Sequence, residues 1–192
     1  MKKLEDMTLE ELWELFPIIL KEHNRDYLEW YEEEKRNLTE LFVDFDIQRI
    51  NHIGSTSVEG LIAKPIVDIL LEFPEGYDFE RISEMLQNTG WIIMQRDSEK
   101  QTLDLNKGYT PEGFAEKVYH LHVRALDDWD ELYFIDYLWE YPDVAREYEA
   151  LKLSLKEKYE HDRDAYTDEK SDFVQKYSQK ARQEFGSRYL PK

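Results

Sequence analysis

Residues 52–72 read HIGSTSVEGLIAKPIVDILLE, and this stretch decides how the rest of the chain is assembled. Ahead of it, Ile47 to Ile53 alternates apolar and polar side chains, the period of a strand with one buried face. That strand stops at Gly54 and hands the chain to Ser55, Thr56 and Ser57. A helix-compatible piece of under two turns follows from Ser57 to Ala63. Lys64 and Pro65 lead into a second strand, Ile66 to Phe73, whose apolar run is interrupted by Asp68. A strand that ends at glycine and opens a helix on hydroxyl residues suits a phosphate group, because backbone N–H groups there lack intrahelical partners. The spacing nominates Gly54, Ser55 and Thr56 for the phosphates. It nominates Asp68 for a metal ion bridging protein and nucleotide, with Ser55 and Asp68 as the catalytic residues. A Gly-Ser pair after a strand is also an ordinary turn; the following Lys-Pro and the aspartate within an apolar strand favour the site.

A carboxylate at position 68 costs free energy unless something charged pairs with it. Either Lys64 or an arginine supplies that charge, or the carboxylate serves a metal or phosphate site. By strand alternation Asp68, Leu70 and Glu72 share a face. Pro65 biases Lys64 toward extended backbone, and its charge is placed to serve phosphate or Asp68. Further along, His120, His122 and Arg124 project to one face of a strand, opposite Tyr119, Leu121 and Val123. Two histidines at that spacing can ligate a metal or donate to phosphate oxygens, or simply decorate a half-exposed strand. His52 is either a third member of this group or a hydrogen-bonded core histidine. Lys170 shares a helical face with Phe173, Val174 and Tyr177, so its stem is sheltered and its charge either snorkels or reaches a cleft. Tyr166, one turn earlier, carries the same ambiguity.

The remaining pattern is helix, sheet, helix. Thr8 and Glu11 form a capping box ahead of Leu9, Leu12, Trp13, Phe16 and Leu20, with Pro17 placed to end or kink that helix. Tyr27, Tyr31, Leu38 and Phe42 mark a second helix. Asp78 caps a third over Phe79, Ile82, Met85 and Leu86, with Gly90 ending it. Segments 91–95, 102–106 and 118–125 read as strands, and 108–113 as an open turn region. From Asp128 onward the spacing is helical, with Pro142 starting one helix. One domain over 1–192 is expected, with N-terminal helices in 1–46, a sheet carrying the site in 47–125 and helices in 128–186. The class is α+β, a mixed sheet of about five strands flanked by helices.

Composition narrows the partners. The 192 residues include no cysteine, which excludes disulfides, thiolate zinc sites and cysteine nucleophiles. A formal charge of −18 argues against an extended nucleic-acid footprint, although a local cation cluster can still hold a small nucleotide. The opening MKKLEDMTLEELWELFPIIL carries too many carboxylates for a signal peptide. No run approaches the roughly 20 apolar residues of a membrane span. A soluble, cytoplasmic protein is expected.

The string GSTSVxGLxAKPIVDI over residues 54–69 resembles the signature of the GrpB family, whose members are similar in fold to nucleotidyltransferases of the DNA polymerase beta superfamily. Tyr119-His120-Leu121-His122-Val123, Asp136-Tyr137-Leu138 and Tyr166-Thr167-x-x-Lys170-x-x-Phe173 resemble further family blocks in the same order. The likeness runs over roughly residues 25 to 180. It implies a nucleoside triphosphate held with Mg²⁺ and transfer of a nucleoside monophosphate to an acceptor. Asp68 would hold the metal. Gly54, Ser55 and Thr56 would hold the phosphates, Lys64, His120 and His122 the developing charge, and Lys170 would be a further cofactor-binding residue.

The chain departs from that superfamily at one position. Its members carry two carboxylates two residues apart on this strand, and here Asp68 is followed by Leu70, which puts two-metal catalysis in doubt. Glu72 lies about 7 Å further along, and Asp104 joins only if its strand is adjacent. Two other readings stand beside transfer. One is a nucleotide-binding or regulatory module without catalysis. The other is a hydrolytic metal site built from His52, His120, His122 and Asp68.

Overall fold

The computed structural model describes residues 2–191. Two N-terminal helices, α1 (Leu9–Leu15) and α2 (Asp26–Leu41), precede β1 (Arg49–Ile53) and β2 (Val67–Phe73). Then come α3 (Phe79–Gln87) and three strands, β3 (Ile92–Asp97), β4 (Thr102–Thr110) and β5 (Gly113–Ala125). Four helices close the chain: α4 (Asp130–Glu140), α5 (Pro142–Tyr159), α6 (Arg163–Asp168) and α7 (Ser171–Phe185). The five strands form one mixed sheet in the order β1-β2-β5-β4-β3. Only β2 and β5 run parallel. This is the expected α+β arrangement, and the two strands flanking the 52–72 stretch are antiparallel neighbours.

The local signals explain most boundaries. Thr8 accepts from the Glu11 N–H while the Glu11 carboxylate accepts from the Thr8 N–H, so the capping box forms. α1 stops at Phe16, ahead of Pro17, and Leu20 lies outside it. Asp78 caps α3, and Pro142 occupies the first turn of α5. Asp162 opens α6 by accepting from Ala165, an extra helix that the apolar spacing alone does not reveal.

Parity sorts the sheet into two faces. Val67, Ile69, Leu71 and Phe73 point to one core with Tyr27, Leu38 and Phe42 of α2 and with Ile82 and Leu86 of α3. Leu70 points the other way, into a core with α4, Tyr148 of α5 and Tyr177 of α7. Asp68 and Glu72 share that second face with Leu70, at opposite ends of the strand. Glu72 is fully buried and takes two hydrogen bonds from the Arg49 guanidinium, at 2.5 and 2.7 Å. It is therefore a structural ion pair and cannot replace a missing metal ligand at position 70. Arg49 also donates to the Asp127 and Tyr189 carbonyls, tying β1 to the C-terminal segment.

The segment expected as an open turn at 108–113 is instead a tight hairpin, because β4 runs to Thr110 and β5 starts at Gly113. The ladder slips between Lys107 and Tyr109. At Gly108, with φ of 90°, a side chain would collide with the Lys117 carbonyl, so glycine is required there. The slip reverses parity. Lys107 faces α2 and pairs with Glu34 at 2.7 Å, whereas Tyr109 faces the opposite side of the sheet.

Removing one partner of the Arg49–Glu72 pair strands a buried charge. Arg49→Met is expected to lower unfolding stability by about 3–5 kcal/mol, read from denaturant midpoints at neutral pH. A loss below about 1 kcal/mol would show that water reaches Glu72.

Candidate functional site

A cleft of about 1110 Å³ opens on the face of the sheet that α4–α7 partly cover. Gly54, Ser55, Thr56, Lys64, Asp68, His120, His122 and Lys170 all line it. Strand register brings the central group together. Asp68 lies beside His120 and Leu70 beside His122 across the parallel pair. Asp104 lies beside His122 and Asn106 beside His120 on the other side. Three strands distant in sequence thus place two aspartates and two histidines in adjacent rows of one face.

These groups form a continuous chain of polar contacts. Arg163 donates to the Tyr109 hydroxyl at 3.0 Å, and Tyr109 lies 2.8 Å from His120 Nε2. His120 Nδ1 lies 3.2 Å from Asp68 Oδ1, and His122 Nε2 approaches the same oxygen at 3.7 Å. His122 Nδ1 meets Asp104 at 2.8 Å, and Arg124 donates to Asp104 at 2.5 Å. Because the Asp68 carboxylate accepts, His120 carries its proton on Nδ1 and receives the Tyr109 O–H on Nε2.

The charge states follow from these partners. Burial alone would raise the Asp68 pKa, but hydrogen bonds from His120 and His122 outweigh it and hold the group well below the usual carboxylate range. Burial works against a charged His122 too, yet Asp104 and Asp68 lift its pKa from 6.5 to about 9. His120 bonds one carboxylate only, and burial keeps it below the ordinary histidine value. The pair therefore holds one imidazolium, on His122, and one neutral ring, on His120.

A second group of side chains is cationic. Lys64, Lys152, Lys170 and Arg163 all line the cleft. Burial, then the charges of Lys170 and Arg163, bring the Lys64 pKa down to about 7. Burial and Lys170 bring Lys152 to about 7, and burial lowers Lys170 to about 8. Lys152 is only 2% exposed; its ammonium donates to Ser55 Oγ at 3.1 Å and to the Ile62 carbonyl. Lys170 lies 4.5 Å from the Tyr166 ring centre. The Tyr166 hydroxyl is buried without a hydrogen-bond partner among the described residues.

Two expectations need correction, and the alternatives for His52 are resolved. The Gly-Ser-Thr segment does not open a helix of useful length; Ser55–Ser57 is one 3₁₀ turn. The N–H groups of Ser57 and Val58 already bond Gly54 and Ser55 carbonyls, so a helix-terminus dipole contributes little. Thr56 touches the cleft, but its hydroxyl donates to the Ile66 carbonyl and contacts His52 Nε2 at 3.0 Å. It holds the loop rather than offering a free donor. His52 itself stacks on Tyr31 at 4.9 Å, and burial lowers its pKa to about 4; it is the hydrogen-bonded core histidine of the two readings.

Gly54 has a different use from a phosphate cradle. Its φ of 71° and ψ of 178° belong to a region open essentially to glycine, and a Cβ there would collide with the Asp68 carboxylate. Sequence reasoning did not find Lys152, Arg163 or Tyr109. Lys152 had a legible signal, because Tyr148 and Leu155 flank it at helical spacing and so place a lysine on a buried stripe. Tyr109 had none, since its orientation depends on the bulge at Gly108.

The donor set does not fit a two-ion centre. The position two residues beyond Asp68 is the buried Leu70, Glu72 is committed to Arg49, and Asp104 is held by His122 and Arg124. Among the described residues no group of three or more His, Asp or Glu side chains is placed to hold a metal ion. No helix among them is long and apolar enough to cross a membrane.

The mixed α+β fold agrees with the comparisons. The family model for GrpB protein matches residues 17–180, and the chain belongs to the GrpB family. The glutamate-rich protein GrpB of Alkalihalophilus pseudofirmus is 34% identical over 161 residues, covering 82% of this chain and 91% of that one. A UPF0157 protein of Pseudomonas aeruginosa is 40% identical over 126 residues, or 65% of this chain and 52% of the relative. The chain thus spans about half the length of that relative. The crystal structure of GrpB from Enterococcus faecalis superposes with a TM-score of 0.73 at 28% identity, over 87% of this chain and 99% of that one.

Two outcomes check the geometry. In imidazole NMR titrations His122 is expected to stay protonated through pH 8, while His120 and His52 stay neutral at pH 7. The stability that His122 contributes is complete below pH 6.5 and disappears as pH climbs through about 9; a His122 midpoint near 6.5 would refute the ion pair. Gly54→Ala is expected to cost about 1–3 kcal/mol in unfolding stability, and a neutral substitution would mean that the turn relaxes away from Asp68.

Proposed function

We propose that this protein binds a phosphate-bearing small molecule, a nucleotide being the leading class, with its phosphates against Lys64, Lys152, Lys170 and Arg163. One observation carries the reading. In a chain of charge −18, three lysines and Arg163 converge on one cleft, and burial, then the neighbouring cations, lowers the lysines' affinity for protons. Asp68 is the one carboxylate that counters Lys64 and Lys170, and it is already shared by two histidines. Such a cluster raises the free energy of the empty protein and is relieved by a polyanion, the signature of a binding site rather than of a scaffold. Ser55 supports the site by orienting Lys152.

Binding without fast catalysis is favoured over nucleotidyl transfer. Phosphate capture needs the cations, which are present, whereas two-ion transfer needs paired carboxylates, and position 70 is leucine. Mg²⁺ enters this reading as the nucleotide's own counter-ion. Any slow transfer would depend on Asp68, and the likeness to nucleotidyltransferases remains a proposal of the same kind. Hydrolysis at a histidine-bound metal is less well supported, since His52 stacks on Tyr31 and His122 is held as an imidazolium.

The test is a thermal and calorimetric panel of nucleoside triphosphates and pyrophosphate, with and without Mg²⁺. A ligand at a hundredfold excess over its Kd should stabilise the protein by about 2.7 kcal/mol. Lys64→Met should leave the empty protein as stable as wild type or more so, because it removes a repelled charge, and should abolish most of the ligand shift. Binding should also take up protons near pH 8 and weaken as pH rises from 7 to 9, because an anion restores the lysines' normal pKa values. Absence of any shift across the panel, or proton release on binding, would overturn the phosphate reading.

A further inference from the structure

The cleft has two chemically distinct parts. Its floor holds the lysines and the Asp-His pair, while its outer walls are apolar. On one side lies α1, which buries no residue although it carries Leu9, Leu12 and Trp13. On the other lies the edge strand β3, whose Ile92 and Met94 face the same space. Leu9 is 51% exposed, Ile92 41% and Met94 61%. These three side chains are exposed, and Leu12 and Trp13 are only half-buried. An amphipathic helix whose apolar stripe is incompletely buried forgoes part of the term that normally holds such a helix to a protein. An edge strand showing large apolar side chains is likewise a surface that soluble proteins avoid without a use.

Apolar walls around a cationic floor define a complementary molecule. Free phosphate or pyrophosphate would satisfy the floor and leave the walls in water. A long polyanion would satisfy the floor and press charge against Leu12 and Met94. We infer that the ligand is an organic phosphate whose anionic group sits on Lys64, Lys152 and Lys170 and whose body is an apolar or aromatic group held between α1 and β3. The inference rests on the phosphate reading above and narrows it. The volume of about 1110 Å³ accommodates such a molecule with room for ordered water. Binding would close α1 onto the body, because Leu9, and to a lesser degree the half-buried Leu12 and Trp13, would then bury more apolar surface.

The probes are inorganic phosphate, 1-naphthyl phosphate and 1-naphthol, titrated by calorimetry into wild type and into the double variant Leu9→Ser, Met94→Ser. Both altered residues are exposed, so folding should survive, with circular dichroism as the control. 1-Naphthyl phosphate is expected to bind at least about tenfold more tightly than inorganic phosphate, the scale on which one small apolar group is discriminated. The double variant should remove most of that advantage while leaving the inorganic phosphate Kd unchanged. If both phosphates bind with equal Kd, or if the double variant changes nothing, the apolar walls do not hold the ligand body and this inference fails while the phosphate reading stands. If 1-naphthol binds as tightly as its phosphate, the cationic floor takes no part and both fall, as they do if no probe binds at all. Sedimentation of the ligand-free protein supplies the remaining control. A dimer that the double variant converts to monomer would mean that a second copy of the chain covers these walls, and the inference would be wrong.

Discussion

The carboxylate of Asp68 has to remain ionised on a strand where Val67 and Ile69 flank it, and much of the cleft is arranged around that requirement. Burial favours the neutral acid, and only close hydrogen-bond donors reverse the preference. His120 and His122 supply them from the parallel neighbour β5. Meeting the demand creates others. His122 becomes an imidazolium and needs Asp104; Asp104 then needs Arg124, and His120 needs a donor on its far nitrogen, which Tyr109 provides. Gly54 is glycine partly because any side chain there would displace the same carboxylate. Low dielectric makes such a network stiff when complete and costly when any member is missing.

The charge distribution is as informative as the hydrogen bonds. The chain as a whole is strongly acidic, while the cleft concentrates Lys64, Lys152, Lys170 and Arg163 with few facing carboxylates, Asp68 and Glu149 among them. In an acidic protein a structural lysine readily finds a carboxylate. Lys107, for example, pairs with Glu34 and Lys117 with Glu33. Lys64 and Lys152 are instead sheltered among other cations, where their pKa values drop toward neutrality. That contrast within one molecule separates the proposed binding groups from scaffold lysines.

Family likeness and local geometry bear on different questions. The match to GrpB proteins extends over most of the chain and fixes the fold class, since the related crystal structure shares it at 28% identity. The chemistry depends on single positions. Leu70 contributes to the core beside α4 and offers no metal ligand next to Asp68.

The sequence by itself determined what depends on short-range periodicity and local capping. The strands around Gly54, the capping box at Thr8, the Asp78 cap and the Pro142 helix start all rest on residues within a few positions of each other. It also placed Asp68 and the two histidines on definite faces, because strand alternation is local. Lys152, between Tyr148 and Leu155 on a buried stripe, carried a legible signal in its helical spacing that the sequence reading passed over, and only packing shows what it meets. Tertiary structure decided the rest. The order β1-β2-β5-β4-β3 brings Asp68, Asp104, His120 and His122 into one patch from three strands. A register shift in the β4–β5 ladder between Lys107 and Tyr109, at Gly108, reverses the side to which Tyr109 points. The apparent helix start at Ser55 shrinks to one turn because the loop must reach β2 alongside β1, and Thr56 and His52 bind that loop in place. Register, bulges and ion-pair partners are set by contacts between residues far apart in the chain, and no local pattern encodes which of them meet.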